Sequence, residues 1–454
     1  MKEKKIHLTM AVLATGIMSF AGVLIETAMN VTFPTLIKQF GISTGTVQWV
    51  TTIYLLVIAI MVPLANFLLK NMTLRRLFFI ANVIFILGIV TDFLAFNFPI
   101  LLLGRILQGV STGIALPLMF HIILKYSPLK MRGTMMGLGT LTTSIAPAIG
   151  PTYGGILTSA LSWHYIFIFL VPVLLLSLVL GLIAIPDLPI EKSGKLDLVS
   201  LLGLALLFSG SLIFLNQIGS WLSIIPLAVG ILGLVIFYRQ ATHTKEPLVS
   251  LKILKNSAFR TFLLAFLVCQ FLLLGVSFVL PNFVQIVLGK DAFVAGLMMF
   301  PGATVGALLA PISGRMLDQF GPKKPILIGL ALAAIGWTGL TIILRAPILL
   351  GLVAGHVFYM IGIGFAYSNL MTSGMSQIDD ADFGDGNTIF NTLQQFAGAV
   401  ATAIVATIIN FVQNHQADLI SGTILGSQLA LAFLLVLLLL VFVAVWREFQ
   451  RQKK

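Results

Sequence analysis

The chain reads as long apolar runs broken by short polar stretches, with no sustained alternation of the kind a strand shows. A membrane-crossing helix needs about 20 mostly apolar residues. Runs of that kind fall near 8–32, 46–69, 76–96, 99–124, 133–158, 163–185, 197–216, 221–238, 260–285, 292–314, 324–344, 347–372, 386–412 and 423–446. The pattern predicts an all-α polytopic membrane protein of about fourteen transmembrane helices. The first run follows Met1-Lys2-Glu3-Lys4-Lys5 but is too long for the apolar core of a signal peptide, so it is read as a retained span. The longest polar stretches, 187–196, 239–258 and 376–386, leave no room for a sizeable soluble domain.

Composition agrees. Of 454 residues, 58% are hydrophobic and 9% charged, against roughly a quarter charged in soluble domains. A soluble globular surface and a disordered chain are both excluded. The single cysteine, Cys269, excludes an internal disulfide and a cysteine-cluster metal site. The formal charge of +12 raises the question of nucleic acid, and the positions of the basic residues answer it. With the N-terminus inside, 23 of the 27 Lys and Arg fall in cytoplasmic segments. These are Lys2, Lys4, Lys5, Lys70, Arg75, Arg76, Lys125, Lys130, Arg132, Lys192, Lys195, Arg239, Lys245, Lys252, Lys255, Arg260, Arg315, Lys323, Lys324, Arg447, Arg451, Lys453 and Lys454. Lys38, Lys290 and Arg345 fall outside, and Arg105 lies within a span. An even number of spans with both termini cytoplasmic follows, and the charge is orientation information, not a nucleic-acid surface. The acidic run Asp379-Asp380-Ala381-Asp382-Phe383-Gly384-Asp385 reads as a solvated loop with helix-capping aspartates.

Two turns repeat each other: PLANFLLKNMTLRR from Pro63 and PISGRMLDQFGPKK from Pro311. Pro63 aligns with Pro311, Leu68 with Met316, Arg75 with Lys323 and Arg76 with Lys324. Each would join the second and third helices of a six-helix half, with its basic residues at the inner leaflet. The division expected is a six-helix bundle over 1–190, two linker helices over 191–245, and a second six-helix bundle over 246–454. Paired halves around a midplane site are the repeat logic of secondary transporters.

These residues resemble the major facilitator superfamily, in particular its fourteen-helix drug:proton antiporter branch, nearly end to end. The second-half turn, with Gly314, Asp318, Gly321, Lys323 and Lys324, fits the loop signature G-x-L-x-D-x-x-G-x-R/K-R/K. Arg105, Gln108 and Gly109 fit R-x-x-Q-G. Gly137, Ala146, Gly150-Pro151 and Gly154-Gly155 fit the exporter pattern G-x8-G-x3-G-P-x2-G-G with one Gly replaced by Ala146. Trp163 to Phe167 with Pro172, Glu246-Pro247-Leu248 and Asn391-Thr392-Leu393-Gln394-Gln395 are similar to further pieces of the branch. The resemblance implies two bundles plus two inserted helices, in a bacterial cytoplasmic membrane. It implies a monomer that exchanges protons for lipophilic drugs across the lipid bilayer, with no cofactor. Two departures matter. Asn66, Lys70 and Thr73 stand where the family has Gly, Asp and Gly, which leaves the gating role of that loop to Asp318. The first span carries its acid at Glu26, one place from the branch's L-D-x-T-x-x-N pattern, about 100° around the helix.

A charge within the bilayer costs about 2.5–3.5 kcal/mol even on lenient scales, so buried ionisable residues are functional candidates. Glu26 is the main proton-coupling candidate, with a permanently paired structural acid as the alternative; competition between proton and cationic drug for one carboxylate would couple their opposite movements. Asp92 either joins the coupling or ends its helix at the membrane surface. Arg105 either clamps carbonyls and Gln108 or modulates Glu26. Gly150, Pro151, Gly154 and Gly155 suit close helix approach at a gate. Asn30, Tyr54, Gln270, Asn282, His356, Asn387, Asn391 and Gln394 are candidates for lining the cavity, each also a possible interhelical hydrogen-bonding residue. His356 is either titratable or a neutral packed histidine. No phosphate loop or soluble nucleotide domain is present, which argues against an ATP-driven pump, and a transporter, not an enzyme, is expected. The remaining alternative is a dedicated secondary transporter of a single metabolite.

Overall fold

The computed structural model describes residues 6–187, 196–218, 220–244, 247–379 and 382–452; within residues 124–144 most positions are described by their backbone alone. Lys2, Lys4, Lys5, Lys192, Lys195, Lys245, Glu246, Asp380, Ala381, Lys453 and Lys454 lie outside the described residues, as do the side chains of Lys130 and Arg132.

The described chain is helical, without strands among these residues. Its long helices are α1 (Leu8–Asn30), α2 (Trp49–Asn71), α3 (Leu74–Phe93), α4 (Phe98–Tyr126), α5 (Leu129–Ala160), α6 (Val171–Ala184), α7 (Leu198–Asn216) and α8 (Ile224–His243). They continue as α9 (Ser257–Ile286), α10 (Phe300–Phe320), α11 (Lys323–Ile343), α12 (Leu349–Met375), α13 (Phe383–Gln413) and α14 (Leu419–Arg451). Among the described residues, 13 helical segments are long and apolar enough to cross a membrane. The predicted run near 133–158 lies in α5, which has the length at 32 residues; its Gly, Thr, Pro147 and Pro151 dilute its apolar character.

The repeat in sequence is a repeat in packing. In the first bundle α1 packs on α5 and α6, α4 packs on α2 and α3, and α3 packs on α6. In the second, α9 packs on α13 and α14, α12 packs on α10 and α11, and α11 packs on α14. Successive helices run in opposite directions, so the described basic breaks at Lys70 to Arg76, Arg239, Lys252 to Arg260, Lys323-Lys324 and Arg447 to Arg451 share one end, called the basic end here. Lys38, Lys290 and Arg345 lie at the far end. Pro63 and Pro311 both sit inside their helices. The two turns differ in detail. Thr73 caps α3 by accepting a hydrogen bond from the Arg76 backbone N–H, whereas Gly321, its counterpart, takes φ 75°, which favours a residue without a side chain.

The two inserted helices form a hairpin in which backbone meets backbone at Gly210 and Gly230. α7 lies over the line where α2 meets α13. Phe208 of α7 stacks on Phe396 of α13 with ring centroids 4.1 Å apart, and Leu204, Phe208 and Leu212 join Leu55, Ile58 and Ala59 of α2 in one apolar cluster. Asn216 ends α7 and donates to the Gly45 carbonyl of the first half at 3.0 Å. α8 turns Ile224, Ile231, Leu232 and Leu234 outward, as a lipid-facing helix does.

Candidate functional site

At the far end the halves are sealed together. Asn30 donates to Ser277 Oγ at 2.8 Å, Gln285 donates to the Val31 carbonyl at 2.8 Å, and Thr44 donates to Gln413 Oε1 at 2.9 Å. The α5 glycines permit this seal. A Cβ on Gly150 would overlap Thr27, and one on Gly154 would overlap the Ala28 carbonyl; both lie against α1. Gly155 faces the other half, where a Cβ would overlap the carbonyl of Ala292 in the short helix Ala292–Leu297. Gly296 of that helix lies as closely against the Pro151 carbonyl. The exporter-type pattern therefore packs α5 against both halves at once.

Glu26 sits four residues before the end of α1, 8% exposed, and accepts no hydrogen bond among the described residues. Its electrostatic neighbours are Arg105 and Tyr54 in its own half and, across the interface, Tyr367. Arg105, fully buried in α4, donates through Nε to the Val50 carbonyl at 3.0 Å and through Nη1 to Gln108 Oε1 at 2.7 Å. Its guanidinium lies 4.1 Å from the Tyr54 ring centroid, and the Tyr54 hydroxyl donates to Thr112 Oγ1 at 2.9 Å. Gln108 in turn donates to Asp92 Oδ2 at 2.7 Å. Asp92 is thus not a surface helix end but a buried member of the same network. Gly109 lets α4 approach α2, since a Cβ there would lie 2.9 Å from the Tyr54 carbonyl.

The other expected residues divide. Asn30 belongs to the cluster, accepting from Thr51 Oγ1 at 2.9 Å while it donates to Ser277. Gln394 donates to Tyr367 Oη at 2.8 Å, and that hydroxyl donates to Gln270 Oε1 at 2.5 Å. Phe266 stacks on the Tyr367 ring at 4.5 Å. Asn391 donates to Asn387 at 2.8 Å, and both line a small cavity of about 20 Å³ towards the basic end, with Val62, Asn66 and Pro117. Asn282 bonds within its own helix, to the Phe278 carbonyl. His356 is packed inside the second half against Gly302 and Tyr359, away from this cluster. In the loop motif, Gly314 has open space where a Cβ would be, Asp318 is exposed, Gly321 makes the turn and Lys323 opens α11. The contact between halves at this end instead uses Asn66, which donates to Thr388 Oγ1.

Sequence reasoning missed Tyr367. A tyrosine within an apolar span was the available signal, because a buried phenol needs a polar partner. It also missed Val50, whose contribution is a backbone carbonyl with no sequence signature. Among the described residues no group of three or more His, Cys, Asp or Glu is placed to hold a metal.

Two helical bundles of matching packing, with ionisable residues buried in one bundle at the interface, define a secondary transporter of repeat architecture. The chain belongs to the Major Facilitator Superfamily, whose family model matches residues 15–402. It is a multi-pass cell-membrane protein. It is 33% identical over 396 residues to the lincomycin resistance protein LmrB of Bacillus subtilis (strain 168), covering 86% of this chain and 83% of that one. A multidrug resistance protein B homolog of Mycobacterium tuberculosis is 28% identical over 403 residues, covering 86% and 74%. Among solved structures, a bacterial homolog of the human lysosomal transporter Spinster, inward-facing and unoccupied, is similar with a TM-score of 0.69 at 15% identity, covering 96% of each chain. A D-xylose-proton symporter gives 0.66 at 16% identity, covering 94% of this chain and 97% of that one. Both likenesses concern the fold.

Proposed function

We propose that the protein is a proton-coupled antiporter that exports lipophilic monocationic or zwitterionic drugs, such as antibiotics, dyes and biocides, by alternating access. One observation carries the reading: Glu26 is a buried carboxyl without a hydrogen-bond partner beside an arginine that is held by the Val50 carbonyl and Gln108 and whose Nη2 has no partner. A carboxyl so placed holds either a proton or a cationic group, and the two exclude one another. Proton entry then expels cargo, and cargo entry expels the proton. The relatives named for lincomycin and multidrug resistance support drug export as the direction and class of transport.

Tyr54 and Asn30 line the first-half side of the site, with Gln394 opposite; Tyr367 joins them by its bond to Gln394, and Asn391 lines the small cavity towards the basic end. The contact of Gly155 and Pro151 with Ala292 and Gly296 of the other half is the far-end gate, and the basic end faces the cytoplasm. The test is efflux from everted vesicles energised by a proton gradient, using a panel of lincomycin, ethidium and a neutral antibiotic. The wild-type protein transports several panel members, with proton movement in the opposite direction. Glu26→Gln, inserted at matched level, loses the dependence on the gradient. Full gradient-driven efflux by that variant overturns the role of Glu26, and transport of none of the panel overturns the multidrug reading.

A further inference from the structure

Arg105 is one guanidinium between two buried carboxyls, and it bonds directly to neither. It reaches Asp92 only through Gln108, by two consecutive contacts of 2.7 Å. The chemistry of this relay is directional. Asp92 Oδ2 accepts from the amide NH2 of Gln108, which leaves the amide oxygen to accept from Arg105. With the amide reversed, two donors would face each other and the guanidinium would be displaced.

Asp92 is also sealed off. It is fully buried, and its Oδ1 occupies the space that a side chain on Gly104 would fill. Gly88 brings α3 equally close, since a Cβ there would lie 2.9 Å from the Gly104 carbonyl. Glu26, by contrast, keeps some exposure and has no bond to hold it. The two acids therefore differ in what they are free to do.

We propose that Asp92 is a positioning residue: through Gln108 it fixes the Arg105 guanidinium at its distance from Glu26, and it carries no transported proton itself. The inference rests on Glu26 being the proton site. The charged and titratable groups that act on Glu26 and Arg105 are Asp92 from α3, Tyr54 from α2 and Tyr367 from α12. The arginine's field is the part that the relay controls.

The experiment is an infrared titration of the purified full chain in lipid, without substrate, following the carbonyl stretch of protonated buried carboxyls. Wild type shows a titrating band that Glu26→Gln removes. Asp92→Leu and Gln108→Met each break the relay, and each moves the band's midpoint by about one pH unit towards alkaline values, as expected when a neighbouring opposite charge is displaced. The double variant moves it no further, because both changes cut one chain. Asp92→Asn, whose carbonyl still accepts from Gln108, restores a midpoint near that of wild type. Loss of the band in Asp92→Asn would overturn the proposal by making Asp92 the proton carrier. Unshifted midpoints in Asp92→Leu and Gln108→Met, with a band that still depends on Glu26, overturn the positioning role alone. Persistence of the band in Glu26→Gln instead removes the coupling reading on which it rests. Gln108→Met keeps the test alive if Asp92→Leu fails to fold.

Discussion

Gly154 and Gly155 are neighbours in sequence, yet they face different things, and that difference makes a sharp prediction. Gly154 lies against α1 of its own half, a contact that persists when the halves move as rigid bodies; Gly155 lies against Ala292 of the other half, a contact that exists only while the far end is closed. A methyl group on either overlaps a carbonyl, and such overpacking costs about 1–3 kcal/mol. For Gly154→Ala that cost falls on both conformations and lowers stability without changing their ratio. For Gly155→Ala it falls on the closed state alone. A differential of that size changes the balance between states by about 5- to 150-fold in favour of the far-end-open form. Ser277, 8% exposed and bonded to Asn30 in the seal, is a suitable reporter when changed to cysteine, since Cys269 is fully buried. In intact cells a membrane-impermeant maleimide should label Ser277→Cys at least several-fold faster in the Gly155→Ala background than in the Gly154→Ala background. Equal labelling rates in the two backgrounds, at matched expression, would refute the assignment of Gly155 to the gate.

Further outcomes follow from other contacts. Gly154→Leu, which drives a large side chain into Ala28, should impair transport at matched expression, measured as dye efflux. Asn216→Ala removes the bond from α7 to Gly45 and should likewise raise maleimide labelling of Ser277→Cys, though less than Gly155→Ala does; an unchanged rate would mean that α7 is not a strap across the seal. Thr73→Ala should destabilise the first bundle by about 1 kcal/mol through loss of the α3 cap, read as a lower thermal midpoint. Asp418 caps α14 through Ser421, and those hydrogen bonds hold its carboxyl below the ordinary range. Its folded value is the lower one, so its contribution is present above the unfolded carboxylate range and is lost as pH falls through the folded value. Hydrogen exchange at the start of α14 should accelerate on acidification, and Asp418→Ala should show the faster exchange at neutral pH as well.

The candidate site was partly legible. Glu26, Arg105 and Gln108 stand out because an ionisable or amide group inside an apolar run has few harmless explanations. Asp92 was ambiguous, since a residue at the end of a span is either at the surface or behind a neighbour, and only the close approach permitted by Gly88 and Gly104 decides. His356 shows the opposite failure: its position in a span gives no facing, and packing against Gly302 turns it into its own bundle. Asp318 matched its motif in sequence but is exposed, while Asn66, a departure from the motif, makes the contact between halves.

The sequence by itself determined the helical membrane fold, the two-half repeat and the end at which the basic residues gather. Each of these depends on the length and spacing of apolar runs and on where charges fall between them, which are properties of the chain read in order. The tertiary structure decided which polar groups meet across helices, that α7 covers the line between α2 and α13, and that Gly154 and Gly155 serve different contacts. Those depend on helix rotation and approach distance, and a rotation of about 100° per residue turns adjacent positions to different neighbours.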